Sequence, residues 1–274
     1  MKKALVLSIL VAISTCALAQ TYEYGPAVPA KSGLDVGKMR FGLFLAPNIS
    51  WMKPTASKSN DGLYLVNSEG SKLGYSWGLM ADYFFSENYG IATGFQLNTT
   101  GGKIQANYNT NNTSNISPNQ LVKAAYFDYK LQYLEVPFGL KLMSDNLSGG
   151  IRVFGNIGVT LGINISKKVT YDVTYTDTMT SGGQLVTVDR NLTGENEKLK
   201  GGLSITPVLL QMNLGAGIEY QITDKLSFYT GLFFNNGFTP DVTNPKEINM
   251  GYKGNFSDAN TRLNNMSLRI GMYF

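Results

Sequence analysis

The sequence predicts an all-β protein: a transmembrane up-and-down antiparallel β-barrel of eight strands, with short periplasmic turns and long extracellular loops. Three observations carry this. Apolar and polar residues alternate with a period of two over runs far longer than the ~5–6 residues of an ordinary strand. The connections between runs alternate long and short along the chain. The first nineteen residues have the layout of an export signal.

The alternation is clearest over 131–165, which reads LQYLEVPFGLKLM, then SDNLSGG, then IRVFGNIGVTLGINI. In the last run Ile151, Val153, Ile157, Val159, Leu161, Ile163 and Ile165 fall on one face. Arg152, Phe154, Asn156, Thr160 and Asn164 fall on the other. The first run splits likewise, with Leu134, Val136, Phe138, Leu140 and Leu142 opposite Tyr133, Glu135 and Lys141. A tilted membrane-crossing strand needs about 9–11 residues, apolar on its lipid face and polar on its lumen face. The Ser/Asp/Asn/Gly segment between the runs is a turn by composition.

Composition agrees. Charged residues make up 15% of the chain, below the roughly 25% of soluble domains, and there are 16 Tyr, 14 Phe and 30 Gly. The net charge of +4 is spread out, so nucleic acid is not an expected partner. There is no run of ~18 apolar residues for a spanning helix, so insertion has to be as a barrel. Lys2 and Lys3, the apolar run 4–13 and Ala17-Leu18-Ala19 make 1–19 a signal peptide. Ile13-Ser14-Thr15 is a poor lipobox before Cys16, and cleavage after Ala19 removes this only cysteine. Residues 20–38, aperiodic and holding two prolines, read as a periplasmic arm, which leaves 39–274 as the barrel domain.

Taken in order, strand one starts near Met39 and alternates through Phe41, Leu43, Leu45, Ile49 and Trp51. A polar loop is expected over 53–72. Strand two, 73–85, places aromatics at both ends of its apolar face, as an interfacial girdle requires. After the tight turn 86–88 comes strand three, 89–99, and then a polar Asn/Thr/Ser insert over 101–125. Strands four and five are the hairpin described above. Residues 166–204 are polar, although Thr and Val alternate over 169–177 and 184–190, which suggests strands continuing above the membrane. Strand six is 208–220, strand seven 226–236 and the last strand 264–274, with a polar loop over 237–263. Eight is an even number, and with a periplasmic N-terminus every short turn falls on the periplasmic side. Closure also removes the sheet edge that lipid cannot satisfy.

Tyr133-Leu134-Glu135-Val136-Pro137, the Gly-rich segments 155–162 and 215–220, and a closing strand ending in an aromatic residue together resemble the PorT-like outer-membrane β-barrel family of Bacteroidetes. The likeness covers roughly 39–274. It implies an outer-membrane location, contact with membrane lipid and secretion-system proteins as partners. The terminal Phe274 resembles the signal read by the barrel-assembly machinery.

The strand charges Arg40, Asp82, Glu135, Lys141, Arg152, Glu219 and Arg269 all fall on the polar face. An eight-stranded barrel is just wide enough inside for side chains to fill it. Charges of both signs there are expected to pair and plug the lumen, since an unpaired buried charge is costly. The alternative is a narrow ion path lined by Glu135 and Arg152. Pro137 cannot donate to a ladder, so a strand bulge is expected there, with a hinge as the alternative. The chain contains no histidine, which excludes Ser-His-Asp and His-Asp chemistry and a His-ligated zinc site. No catalytic residue, cofactor or metal is expected, and the loop carboxylates Asp241 and Glu247 read as solvated charges. Two functions stay open: a structural or interaction barrel, linked through the family resemblance to protein secretion, and a narrow pore for a small solute. A soluble eight-stranded ligand-binding barrel has the same alternation with inside and outside exchanged.

Overall fold

The computed structural model describes residues 39–58, 62, 64–111, 122–147, 149–198, 203–223, 225–240, 242–245 and 260–274. The expected signal peptide 1–19, the expected arm 20–38, Asp241 and Glu247 lie outside them. Eleven strands follow one another: β1 (Met39–Pro54), β2 (Tyr64–Phe84), β3 (Tyr89–Tyr108), β4 (Val122–Met143), β5 (Ile151–Ser181), β6 (Gln184–Lys198), β7 (Leu203–Ile205), β8 (Val208–Gln221), β9 (Ser227–Gly237), β10 (Val242–Pro245) and β11 (Thr261–Tyr273). Eight of them form the wall, in the order β1-β2-β3-β4-β5-β8-β9-β11, all antiparallel. The ring closes by pairing β1 with β11 from Gly42↔Tyr273 to Pro54↔Thr261. Closure gives each wall strand a partner on both sides, which a membrane interior demands.

Inside and outside are now distinguished. Leu45, Leu79, Phe138, Ile157 and Leu232 are each more than half exposed, whereas Asp82 is 1% and Glu135 0% exposed. The apolar face is therefore the outer wall, which excludes the soluble alternative.

The wall runs higher than the alternation alone indicates. β2 begins at Tyr64, inside the expected loop 53–72, while β3 continues to Tyr108 and β4 starts at Val122, inside the expected insert 101–125. Tyr64, Val66, Ile104, Ala106, Val122, Ala125 and Phe127 supply the reason. They meet in an apolar cluster with Tyr129, Tyr133, Leu131, Leu209 and Leu263 at the extracellular end of the bore. The strand extensions thus have a core of their own. β5 goes furthest, pairing with β6 up to Ser181↔Gln184. Gly182 and Gly183, at φ 60° and 81°, form the two-residue turn that such a hairpin favours. A second apolar cluster, of Phe44, Ala46, Met80, Phe84, Met143, Phe154, Tyr229, Phe233 and Tyr273, fills the periplasmic end.

Pro137 requires a correction. Pairing with β5 runs through Val136↔Leu161, Pro137↔Thr160 and Phe138↔Val159 with no shift. On the β3 side the register is the same before and after the proline. The strand passes through the proline without a bulge, and the Thr93 hydroxyl donates to the Pro137 carbonyl at 2.9 Å beside the interrupted ladder. The irregularities of β4 against β5 lie elsewhere, at Gln132/Tyr133 and at Val122/Ala124.

Candidate functional site in the barrel lumen

All seven strand charges are on the inner wall, but they do not form one network. Four meet near the periplasmic end, from β1, β2, β4 and β8. The Arg40 guanidinium donates from Nη1 to Glu219 at 2.5 Å and from Nη2 to Asp82 at 3.1 Å. Lys141 Nζ donates to Asp82 at 2.7 Å and to the Tyr273 hydroxyl at 3.0 Å, and lies 3.6 Å from Glu219. Because β11 and β9 separate β1 from β8, the Arg40–Glu219 pair crosses the bore instead of running along the wall. Aromatic rings flank both cations: Arg40 lies 4.2 Å from the Tyr273 ring centre and Lys141 4.9 Å from that of Phe154. Two cations thus face two carboxylates inside an aromatic sleeve, an arrangement that repays desolvation only because every partner is in place.

Glu135 and Arg269 form a separate group at mid-height. Glu135 accepts from Gln96 and, at 2.9 Å, from Asn98 Nδ2. Arg269 donates to Gln96 Oε1 at 3.0 Å and is held between the rings of Phe44 and Phe233, 4.7 and 4.1 Å away. Arg152 joins neither group. It is buried and stands opposite Glu219 in register, yet among the described residues it makes no ion pair, because Arg40 and Lys141 occupy the Glu219 oxygens.

A band of amides lines the bore as well. Asn156 donates to Asn213 at 2.9 Å, Asn213 to Asn235 at 2.5 Å and Asn235 to Asn265 at 2.8 Å, linking β5, β8, β9 and β11. The band's sequence signal is an asparagine at an inward position of each of four strands, Asn156 among them, but parity alone does not show that they meet. A cavity of about 40 Å³ lies where the groups meet, lined by Met80, Asp82, Lys141, Asn156, Tyr229 and Arg269 among others. That is room for a few waters at most.

Pro137 also borders this cavity. The Phe274 side chain points outward, and its N–H donates to the Phe41 carbonyl at 2.8 Å, so the chain ends against β1 at the periplasmic rim. Among the described residues no group of His, Cys, Asp or Glu side chains could hold a metal.

A closed antiparallel ring, apolar outside and charged within, defines the small transmembrane barrels of outer membranes. The chain belongs to the outer membrane protein beta-barrel domain family, whose model matches residues 19–240. No curated protein matches it. Among solved structures it is similar to Ail, the attachment invasion locus protein of Yersinia pestis, at 13% identity and a TM-score of 0.36, covering 88% of this chain and all of that one. It is also similar to Neisserial surface protein A, at 12% identity and a TM-score of 0.34, covering 85% and 97%. The N-terminal β-barrel domain of Pseudomonas aeruginosa OprF gives 9% identity and a TM-score of 0.29, covering 84% and 97%. The protein is an outer-membrane β-barrel.

Proposed function

We propose that this barrel is a non-conducting, non-enzymatic docking protein of the PorT-like type, whose extracellular sheet binds a protein partner of the secretion machinery. One observation carries the docking role. β5 continues sixteen residues past Ile165, its last lipid-facing apolar residue, and carries β6 with it. Among the described residues β6 pairs with β5 alone, so its other edge keeps free backbone donors and acceptors. The buried ion pairs and the two apolar clusters support a lumen that serves as a core, not a path. The lack of histidine supports a role without catalysis. Export by the signal peptide 1–19, an arm at 20–38 and recognition of Phe274 by the assembly machinery belong to the same proposal.

Detergent extracts test it. The full chain should co-purify with a partner that is lost when residues 177–188 are replaced by a two-residue turn. Equal recovery with and without the hairpin, together with solute uptake into liposomes, would favour the pore instead.

A further inference from the structure

Basic side chains form a collar on the outer wall, at the extracellular edge of the lipid-facing band. On β1, Lys53 follows Trp51 on the same outward face. On β11, Arg262 stands directly opposite Lys53, and both are exposed. On β2, Lys72 reaches Asp128 of β4. On β4 and β5, Lys130 stands directly opposite Lys168, three residues above the lipid-facing Ile165. On β3, Lys103 stands opposite Asp128 in register, two residues above the Gly101↔Lys130 pair. Acidic groups in this band are Asp128, held by Lys72, Glu69 on β2, and Glu197 on β6, which accepts from the Tyr171 hydroxyl. Lys53, Arg262, Lys103, Lys130 and Lys168 make no ion pair among the described residues. The periplasmic edge differs. Its outward strand residues Met39, Tyr83, Tyr89, Leu142, Ile151, Tyr220 and Phe228 are all uncharged.

Two features point to an anion. Like charges directly opposite on neighbouring strands destabilise a sheet, and here that happens at Lys53↔Arg262 and at Lys130↔Lys168, the latter with Lys198 of β6 opposite Lys168 on its other side. Both pairs also sit at the height where the lipid band ends, where the accessible anions are lipid headgroups. An anionic oxygen cluster lying between two cations turns each repulsion into a pair of charge-assisted bonds.

We infer that this collar binds the phosphate groups of an outer-leaflet glycolipid, a phosphorylated sugar-headed lipid of the lipid A class, with the Lys53–Arg262 and Lys130–Lys168 pairs as two separate phosphate seats. The inference needs the barrel's outer-membrane placement but not the docking role, so failure of the partner pull-down leaves it standing.

Native mass spectrometry of the full chain in a neutral detergent tests it, using diphosphoryl lipid A, the same lipid dephosphorylated, and inorganic phosphate as probes. The wild type should retain the diphosphoryl form and not the dephosphorylated one. The variants K53Q/R262Q and K130Q/K168Q, verified as folded by heat-modifiable gel mobility, should each bind it about tenfold more weakly or worse. Without lipid, K168Q should melt above the wild type, because a repulsion is gone, and diphosphoryl lipid A should reverse that order. Equal retention of the two lipid forms, unchanged affinity in both double variants, or full displacement of the lipid by equimolar inorganic phosphate would overturn it.

Discussion

Glu135 and Arg269, both buried in the bore, form no direct ion pair; Gln96 lies between them, donating to the carboxylate through Nε2 and accepting from the guanidinium through Oε1. The amide carries opposite polarity at its two ends, so it couples the charges while satisfying both.

Removing one member should therefore cost far more than removing all. E135L leaves Arg269 uncompensated and should destabilise the barrel by about 3–5 kcal/mol, whereas E135L/Q96L/R269L should recover most of the loss. Urea unfolding of the refolded protein in detergent, followed by tryptophan fluorescence, measures both. Additive losses would show that Gln96 is no link.

Two plugs lie in series along the bore, the ion cluster with the aromatic residues packed around it near the periplasm, and the apolar cluster of Tyr129, Tyr133, Leu131, Leu209 and Leu263 at the other end. Neutralising the first, as in R40S/D82S/K141S/E219S, should not give steady openings in planar bilayers. Adding Y129A and Y133A at one end and F154A and F233A at the other should. Steady conductance from the quadruple variant alone would place the only barrier at the ion cluster.

Pro137 stands in unbroken register with β5, opposite Thr160, while Gly94 lies on the neighbouring β3. P137A restores a donor without moving the strand, so the melting temperature should stay level or rise. G94A should be harmful, because its Cβ would lie 2.1 Å from the Leu79 carbonyl oxygen at a φ of 157°. A large loss in P137A would restore the bulge or hinge reading.

Strand identity and facing were legible in the sequence wherever one face meets lipid, because a period of two then has to be strict. Ile151 to Ile165 and Leu268 to Phe274 are examples. Above the membrane that constraint lapses. Tyr64 and Val66 on β2 and Ile104 and Ala106 on β3 are sparse apolar contacts within polar stretches, and only their partners across the sheet reveal them as core. The inward position of the seven charges followed from parity. Their division into a cluster of four, a bridged pair and the solitary Arg152 did not, since it depends on which strands face one another across the bore.

An outward Ile157→Arg substitution, mid-way along the lipid-facing stretch of β5, should cost about 2–4 kcal/mol in lipid vesicles. In a soluble barrel an exposed position would accept arginine within ~0.5 kcal/mol. Folding yields in vesicles against neutral detergent give the comparison.

Spin labels placed one at a time at 151–165 on a cysteine-free background test the central claim most directly, through collision with oxygen and with a water-soluble nickel complex in vesicles. Odd positions such as Val159 should be reached by oxygen and shielded from nickel, while even positions such as Thr160 should be shielded from both. Nickel access at the odd positions, or the loss of the two-residue period, would contradict a closed barrel with lipid outside and charge within.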